Sequence, residues 1–362
     1  VAIAHGLSSE SCSRACRLAL EEARVEPADV GYLEVSGSGL TEEDDAEIKG
    51  LHQAHAPSGP PSRCAIGSVK ANVGHTFAAA GMASLIKTAL CLCHRYIPGT
   101  PNWSGPGRPS EWEESPFYVP AESGTWFLEE GTDRRVGAVS GLGRDGSCAH
   151  VILSEAPTAN PVSSDYLGEV SPFLFPLAGD DPAGLKKDLG VLRQEVLRSE
   201  SLARTSALCH ERCRERAAAK IALSIVGQDR QEVLQEIDAA GEAIEKAFAS
   251  GEEWASLRGS YLTPNPLGNA GKIAFVYPGG YNSYVGVGRD LFQLFPGVYE
   301  EVGKYSSRLV RMVGEGLVYP RSLEKPTGKD VNSRESALFD SPITMFESGI
   351  LLSIAYTRVV RD

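Results

Sequence analysis

Two short runs hold the residue types most able to do chemistry. In the first, Gly67-Ser68-Val69-Lys70-Ala71-Asn72-Val73-Gly74-His75-Thr76, an imidazole follows a glycine at the expected start of a helix, with an ammonium five residues earlier. An imidazole on such a turn can come close to a carbonyl and donate from Nε2 as negative charge develops on oxygen. A histidine after a glycine is otherwise ordinarily structural. In the second run, Leu33-Glu34-Val35-Ser36-Gly37-Ser38-Gly39-Leu40, a serine sits in a glycine turn, with Asp44 and Glu47 a short way on. Cys209, His210 and Cys213 are close enough to raise a metal question, but no second ligand pair stands at zinc-site spacing, and cysteines packing inside a helix are the better reading.

These residues need elements to hold them, and the first 157 residues alternate strand and helix. Small and apolar side chains at helical spacing over 8–25 (Cys12, Ala15, Cys16, Ala19, Ala23) lead through Pro27 into a short strand at 31–35. A second strand at 65–69 precedes the glycine turn and a long helix over 76–94. After a crossing rich in Pro, Gly and Trp at 98–112, strands follow at 136–139 and 149–153. That rhythm predicts a layered α/β domain. Composition shifts at Ala156-Pro157-Thr158-Ala159-Asn160-Pro161. Beyond it come a strand-like run at 173–177, helical patterns at 185–197 and 202–214, a strand at 220–226 and a charged helix at 230–248, which suit a small connecting α/β module. A Pro/Gly joint at 263–268 opens a third unit.

The chain has 362 residues, enough for two or three domains, and a formal net charge of -12. No basic block could neutralise a run of phosphates, so a nucleic-acid surface is not expected. The eight cysteines form no disulfide framework, and a reducing cytoplasm is favoured. By composition no apolar run reaches the roughly 20 residues that span a bilayer. The Val1-Ala2-Ile3-Ala4 start has neither an initiator Met nor a signal pattern, and reads as part of something longer.

The run from Ile66 to Gly81 resembles the block with which ketosynthases of the thiolase superfamily present one active-site His, backed by a Lys. By that resemblance His75 is the catalytic imidazole and Lys70 helps to hold it. Phe77 stands where the family often has Glu. The second run aligns without a gap on the ketosynthase pattern Glu-Ala-His-Gly-Thr-Gly-Thr, with Asp44 and Glu47 in register, but Ser36 replaces the family's other catalytic His. A hydroxyl has neither the basicity nor the imidazolium state that malonyl decarboxylation draws on. A third run, Gly143 to Leu153, resembles the ketosynthase ending Gly-Phe-Gly-Gly-Thr-Asn-Ala-His-Val-Ile-Leu, with Arg144 for Phe, Asp145 for Gly and Cys148 for Asn; His150 reads as structural. The nucleophilic Cys belongs to the other half of that fold.

Residues from Phe275-Val276-Tyr277-Pro278-Gly279-Gly280 through Gly288-Arg289-Asp290 are similar to the opening of malonyl/acyl transferases, and Gly280 maps to the backbone donor of the oxyanion hole. The run from Ser341 to Tyr356 resembles the helix before the transferase nucleophile elbow. The resemblance as a whole implies an α/β chain: half of a thiolase-like layered fold (1–157), a ketosynthase–acyltransferase linker module (158–271) and the beginning of an α/β acyltransferase domain (272–362). The altered second run, with Ser115-Pro116-Phe117-Tyr118-Val119-Pro120 and Tyr277-Pro278-Gly279-Gly280, looks closer to polyunsaturated fatty acid synthases than to ordinary modular polyketide synthases. It also implies acyl and malonyl thioesters on the phosphopantetheine of an acyl carrier protein, no directly bound cofactor or metal, and a homodimer through the ketosynthase-like part. The rival expectation is a silent scaffold like a chain-length factor. A half-domain would leave apolar faces exposed where its other half belongs.

Overall fold

The computed structural model describes residues 8–55, 63–107, 112, 115–128, 132–143, 145–156, 171–216, 218–267, 271–279, 281–305, 318–323 and 326–361. Two compact units result, one of Val1–Ser163 with Val276–Asp362 and one of Ser164–Phe275.

The first unit is built on a five-stranded sheet. Its strands are β1 (Val30–Glu34), β2 (Cys64–Gly67), β4 (Phe117–Tyr118), β6 (Val136–Leu142) and β7 (Cys148–Ser154), in the order β4-β2-β1-β6-β7. A separate two-stranded ribbon pairs β3 (Tyr96–Ile97) with β5 (Gly124–Thr125). The large sheet is parallel except for β7, which runs antiparallel to β6 and places His150 opposite Ser140. Tyr32 and Leu33 on β1 are both fully buried, as a central parallel strand covered on two faces requires.

Helix α1 (Ser9–Ala23) starts on a cap in which the Ser8 hydroxyl accepts from Ser11 N at 3.2 Å. It buries Cys12, Ala15, Cys16 and Leu20 and packs on α2 (Thr41–His55). The crossing is tight at Gly50, where a Cβ would collide with the Ser9 carbonyl oxygen and lie 2.7 Å from Cys12 Cβ. Short α3 (Lys70–Val73) ends at Gly74, whose φ of 78° lies in the left-handed region, and α4 (Ala80–His94) follows. The helix expected from residue 76 therefore starts four residues later, because Gly74 and then Phe77, with φ of 50°, break the helical backbone.

Helix α4 buries Ala80, Ser84, Thr88, Cys91 and Leu92 and exposes Met82, Ile86 and Leu90 in one stripe, continued by exposed Phe77. The stretches Phe77–His94 and Pro342–Arg361 are long and apolar enough to cross a membrane by length and composition, which corrects the expectation that no run reaches that length. Periodicity explains the discrepancy. The apolar stripe of α4 is one side of an amphipathic helix whose other side packs on β6, with Lys87 reaching a buried carboxylate.

In the second unit β8 (Phe173–Gly179), β9 (Ile221–Gly227), β10 (Trp254–Ala255) and β11 (Tyr261–Thr263) form an antiparallel sheet of order β10-β11-β9-β8. Helices α5 (Pro182–Arg198), α6 (Leu202–Glu215) and α7 (Arg230–Ser250) pack on it, capped by Asp181, Ser201 and Asp229. Strand β9 alternates buried Ile221, Leu223 and Ile225 with more exposed residues, the pattern of a sheet covered on one face. Cys209 lies in this core, as a packing cysteine of α6 should.

Residues 271–279 have no regular element and stand exposed, Ile273 and Val276 included. After them come α8 (Arg289–Leu294), α9 (Pro296–Tyr305), α10 (Gly328–Phe339) and α11 (Pro342–Arg361). Their core, with Phe292, Tyr299, Val302 and Leu352, takes in Phe127 from the sheet region. Alongside it, buried Arg135 bridges Glu155 at 2.9 Å and Glu300 at 3.0 Å, and Arg95 bonds the same two carboxylates at 2.7 and 2.9 Å. Alternating charges of this kind leave no buried cation of this cluster without a counterion.

Candidate active site

The site grows from the C-terminal end of β1, where Val35 N still bonds Gly67 O at 2.9 Å before the chain turns at Ser36. Gly37 and Gly39 have φ of 50° and 83°, a backbone open to glycine and strained for other residues. Two carboxylates of α2 hold the turn. Glu47, almost wholly buried, accepts from Ser36 N at 2.8 Å and Gly37 N at 2.9 Å. Asp44 accepts from Ser38 N at 2.7 Å and Gly39 N at 3.2 Å. Burial pushes the Glu47 carboxyl pKa up, while the Gly37 and Ser36 donors pull it back.

From the neighbouring strand end, Ser68 Oγ donates to the Ser36 carbonyl at 3.2 Å. Lys70 Nζ donates to the same carbonyl and lies 3.3 Å from Ser36 Oγ. Burial lowers the Lys70 pKa, with Glu47, Glu34 and Asp44 opposing the shift. Ser36 Oγ thus faces an ammonium donor, which occupies a lone pair and leaves the hydroxyl able to donate but poorly able to act as a base.

Beneath them lies Glu34, fully buried and surrounded by donors: Tyr32 OH at 2.6 Å, Lys87 Nζ at 3.0 Å, Ser84 Oγ at 3.5 Å and Val69 N. In the sequence Glu34, Asp44 and Glu47 stand out only as positions in register. A signal for their work is nonetheless present: two acids three residues apart on the helix that follows a glycine turn.

His75 stands exposed on its own turn. Its Nδ1 accepts from Phe77 N at 3.0 Å, so the hydrogen-bond pattern assigns the proton to Nε2, the atom that would donate to an oxyanion. The Phe77 ring stacks 5.1 Å from the imidazole. Of the expected residues, Ser36 and Lys70 meet directly, while His75 touches Phe77. Lys70 is thus spent on the serine turn, where the resemblance gave it the histidine to hold. Gly280 and Arg144 lie outside the described residues. In the third run, Gly143 N bonds Ser147 O at 2.8 Å and Asp145 accepts from Ser147 Oγ at 2.7 Å. His150 lies in β7 opposite Ser140, and burial lowers its pKa to about 3, which keeps it neutral. Among the described residues no group of acids, histidines and cysteines could hold a metal ion.

The family "Beta-ketoacyl synthase, C-terminal domain" matches residues 4–104. A polyunsaturated fatty acid synthase polypeptide of Thraustochytrium sp. is 30% identical across 96% of this chain, which corresponds to 18% of that protein. Polyketide synthase GfsE of Streptomyces halstedii is 31% identical across 85% of the chain and 8% of its own length. The chain thus spans less than a fifth of these relatives. Among solved structures, the ketosynthase from module 6 of the Bacillus subtilis 168 bacillaene synthase is 26% identical, covering 66% of this chain and 42% of that one with a TM-score of 0.40. The chain carries the C-terminal region of a beta-ketoacyl synthase domain of the type built into polyketide and polyunsaturated fatty acid synthases.

Proposed function

We propose that this chain is a piece of a multidomain synthase handling acyl and malonyl thioesters carried on an acyl carrier protein, and that its ketosynthase-like domain is impaired in decarboxylative condensation. The observation that carries the reading is Ser36, held by Glu47 and facing Lys70, where the resemblance places a catalytic imidazole. A neutral hydroxyl can donate to a thioester carbonyl, but an imidazolium would stabilise the enolate that decarboxylation leaves far better. By the resemblance His75 is the remaining donor of the pair, offering a neutral imidazole N–H from Nε2. On this reading 1–157 is the ketosynthase-like part, 158–271 the linker and 272–362 the acyltransferase beginning, whose Gly280 backbone lends an oxyanion donor. His75 acts as the hydrogen-bond donor, Lys70 positions the Ser36 turn rather than the imidazole, phosphopantetheine belongs to the carrier, the ketosynthase-like part pairs as a homodimer, and the protein works in the cytoplasm.

The experiment is product analysis on the full-length protein, supplied with an acyl donor and a malonyl carrier. Mass spectrometry should find the acyl chain transferred intact and little 3-ketoacyl thioester; condensation at the level of an ordinary ketosynthase would refute the reading. Ser36→His alone is expected to leave most of the deficit, since Phe77 still offers no carboxylate beside His75.

Ser36 in place of the imidazole also suits a second reading, a scaffold that pairs with and positions other domains and performs no chemistry. A cysteine elbow upstream and a Gly-His-Ser-x-Gly elbow downstream in the full-length sequence would favour the enzyme, and loss of both the scaffold.

A further inference from the structure

Two of the cysteines lie 136 positions apart in sequence and meet in the core. Cys12 Sγ on α1 and Cys148 Sγ at the start of β7 are 3.1 Å apart, both thiols are free, and both residues are almost wholly buried, with Ala15 and Leu142 against them. A disulfide bond is about 2.05 Å long, so the sulfurs need to close by only about 1 Å. At position 148 the ketosynthase ending has Asn, so this chain departs from that pattern at the residue that completes the pair.

We propose that Cys12 and Cys148 form an oxidisable dithiol, a covalent modification site at which a hydroperoxide converts two thiols into a disulfide joining α1 to β7. The reaction balances in two steps. One sulfur attacks a peroxide oxygen, the O–O bond breaks, a sulfenic acid forms, and one water leaves. The second sulfur then attacks the first, the S–S bond forms, and the hydroxyl departs as a second water. Two thiols lose two electrons and two protons, and hydrogen peroxide becomes two waters.

Position gives the modification its consequence. Helix α1 packs on α2, and α2 carries the Glu47 that holds the backbone of Ser36 and Gly37. Cys148 directly follows the Gly143–Ser147 turn. A bond between Cys12 and Cys148 therefore fixes that turn to the helix layer that supports the site. Burial of the thiols and the nearby Glu47 charge both raise their pKa, which makes the reaction slow and keeps the pair reduced under ordinary conditions. Exposed Cys93 should react first and serves as an internal measure that the peroxide has acted.

The test is hydrogen peroxide treatment of the native chain, followed by denaturation, alkylation and peptide mapping. The expected result is a cross-linked peptide pair containing Cys12 and Cys148, reversed by dithiothreitol and accompanied by a rise of several degrees in the unfolding midpoint. Cys148→Ser and Cys148→Asn should lose both the cross-link and the rise. Recovery of Cys12 and Cys148 as separately alkylated thiols, in a sample where Cys93 is oxidised, would overturn the proposal, as would their separate oxidation to sulfinic acids. If either variant fails to fold, the map of the unsubstituted chain decides the matter alone.

Discussion

Replacing Glu34 with Ala tests whether its carboxylate anchors the floor of the candidate site. The substitution removes the acceptor for Tyr32 OH at 2.6 Å, the counterion of Lys87 at 3.0 Å and the partner of Val69 N, all in a fully buried position. Breaking a buried pair by deleting one partner costs about 3–5 kcal/mol, because the other charge is left without compensation. The Lys87 side chain keeps 15% of its surface exposed and can turn toward water, which places the expected loss near the lower end, about 3 kcal/mol. With a urea dependence of about 2–3 kcal/mol per M, the midpoint should fall by about 1 M. Tryptophan emission suits the measurement, since Trp126 lies 6.0 Å from Tyr32, ring centre to ring centre; a Trp254→Phe background removes the signal of the second unit. Glu34→Gln keeps one acceptor and should cost roughly half as much. A fall below about 0.3 M for Glu34→Ala, or identical losses for both variants, would refute the reasoning.

Acid should weaken the first unit through His55, which packs edge-on to Phe117 at 5.2 Å and whose pKa burial lowers to about 4. The unfolded chain binds that proton more readily, so stability present above the ordinary histidine pKa of about 6.5 is lost as pH falls toward 4, by about 2–3 kcal/mol at pH 4.5. Urea titrations at pH 7 and 4.5 measure the loss, and His55→Phe should remove most of that dependence; an unchanged dependence would discount His55 as the cause. Gly50→Ala should cost about 1–3 kcal/mol by overpacking the α1–α2 crossing, and should loosen the Ser36 turn through Glu47. Hydrogen exchange reports both effects, and unchanged protection at Ser36 and Gly37 would disconnect the crossing from the site.

The layered α/β order of the first unit was legible because its strands are short apolar runs between turn residues, and β1, β2, β6 and β7 fall within a few residues of their expected places. Helix α2 carries no such apolar pattern: its first turn holds Glu42, Glu43 and Asp44, and its value lies in acceptors aimed at the glycine turn. Alternation of hydrophobicity cannot reveal that kind of element. The β10–β11 ribbon escaped for a different reason, being two and three residues long and fixed by pairing to β9. In the site, the resemblance of two short runs to the ketosynthase pattern pointed to Ser36, Lys70 and His75, while the direction of Lys70 toward Ser36 depends on the packing of β1 against β2, which no local pattern encodes. The start of α4 was misplaced because the left-handed Phe77 is not a glycine, and its backbone is set by the hydrogen bond to His75 Nδ1.

By the resemblance Ser36 occupies the place of a catalytic imidazole, and release of labelled carbon dioxide from a malonyl carrier by the full-length protein measures that substitution directly. General acid–base groups contribute about 10²–10⁴ in rate, so release should run at least about a hundredfold below that of a ketosynthase carrying both histidines. Release at the ordinary rate, with Ser36→Ala leaving it unchanged, would contradict the account.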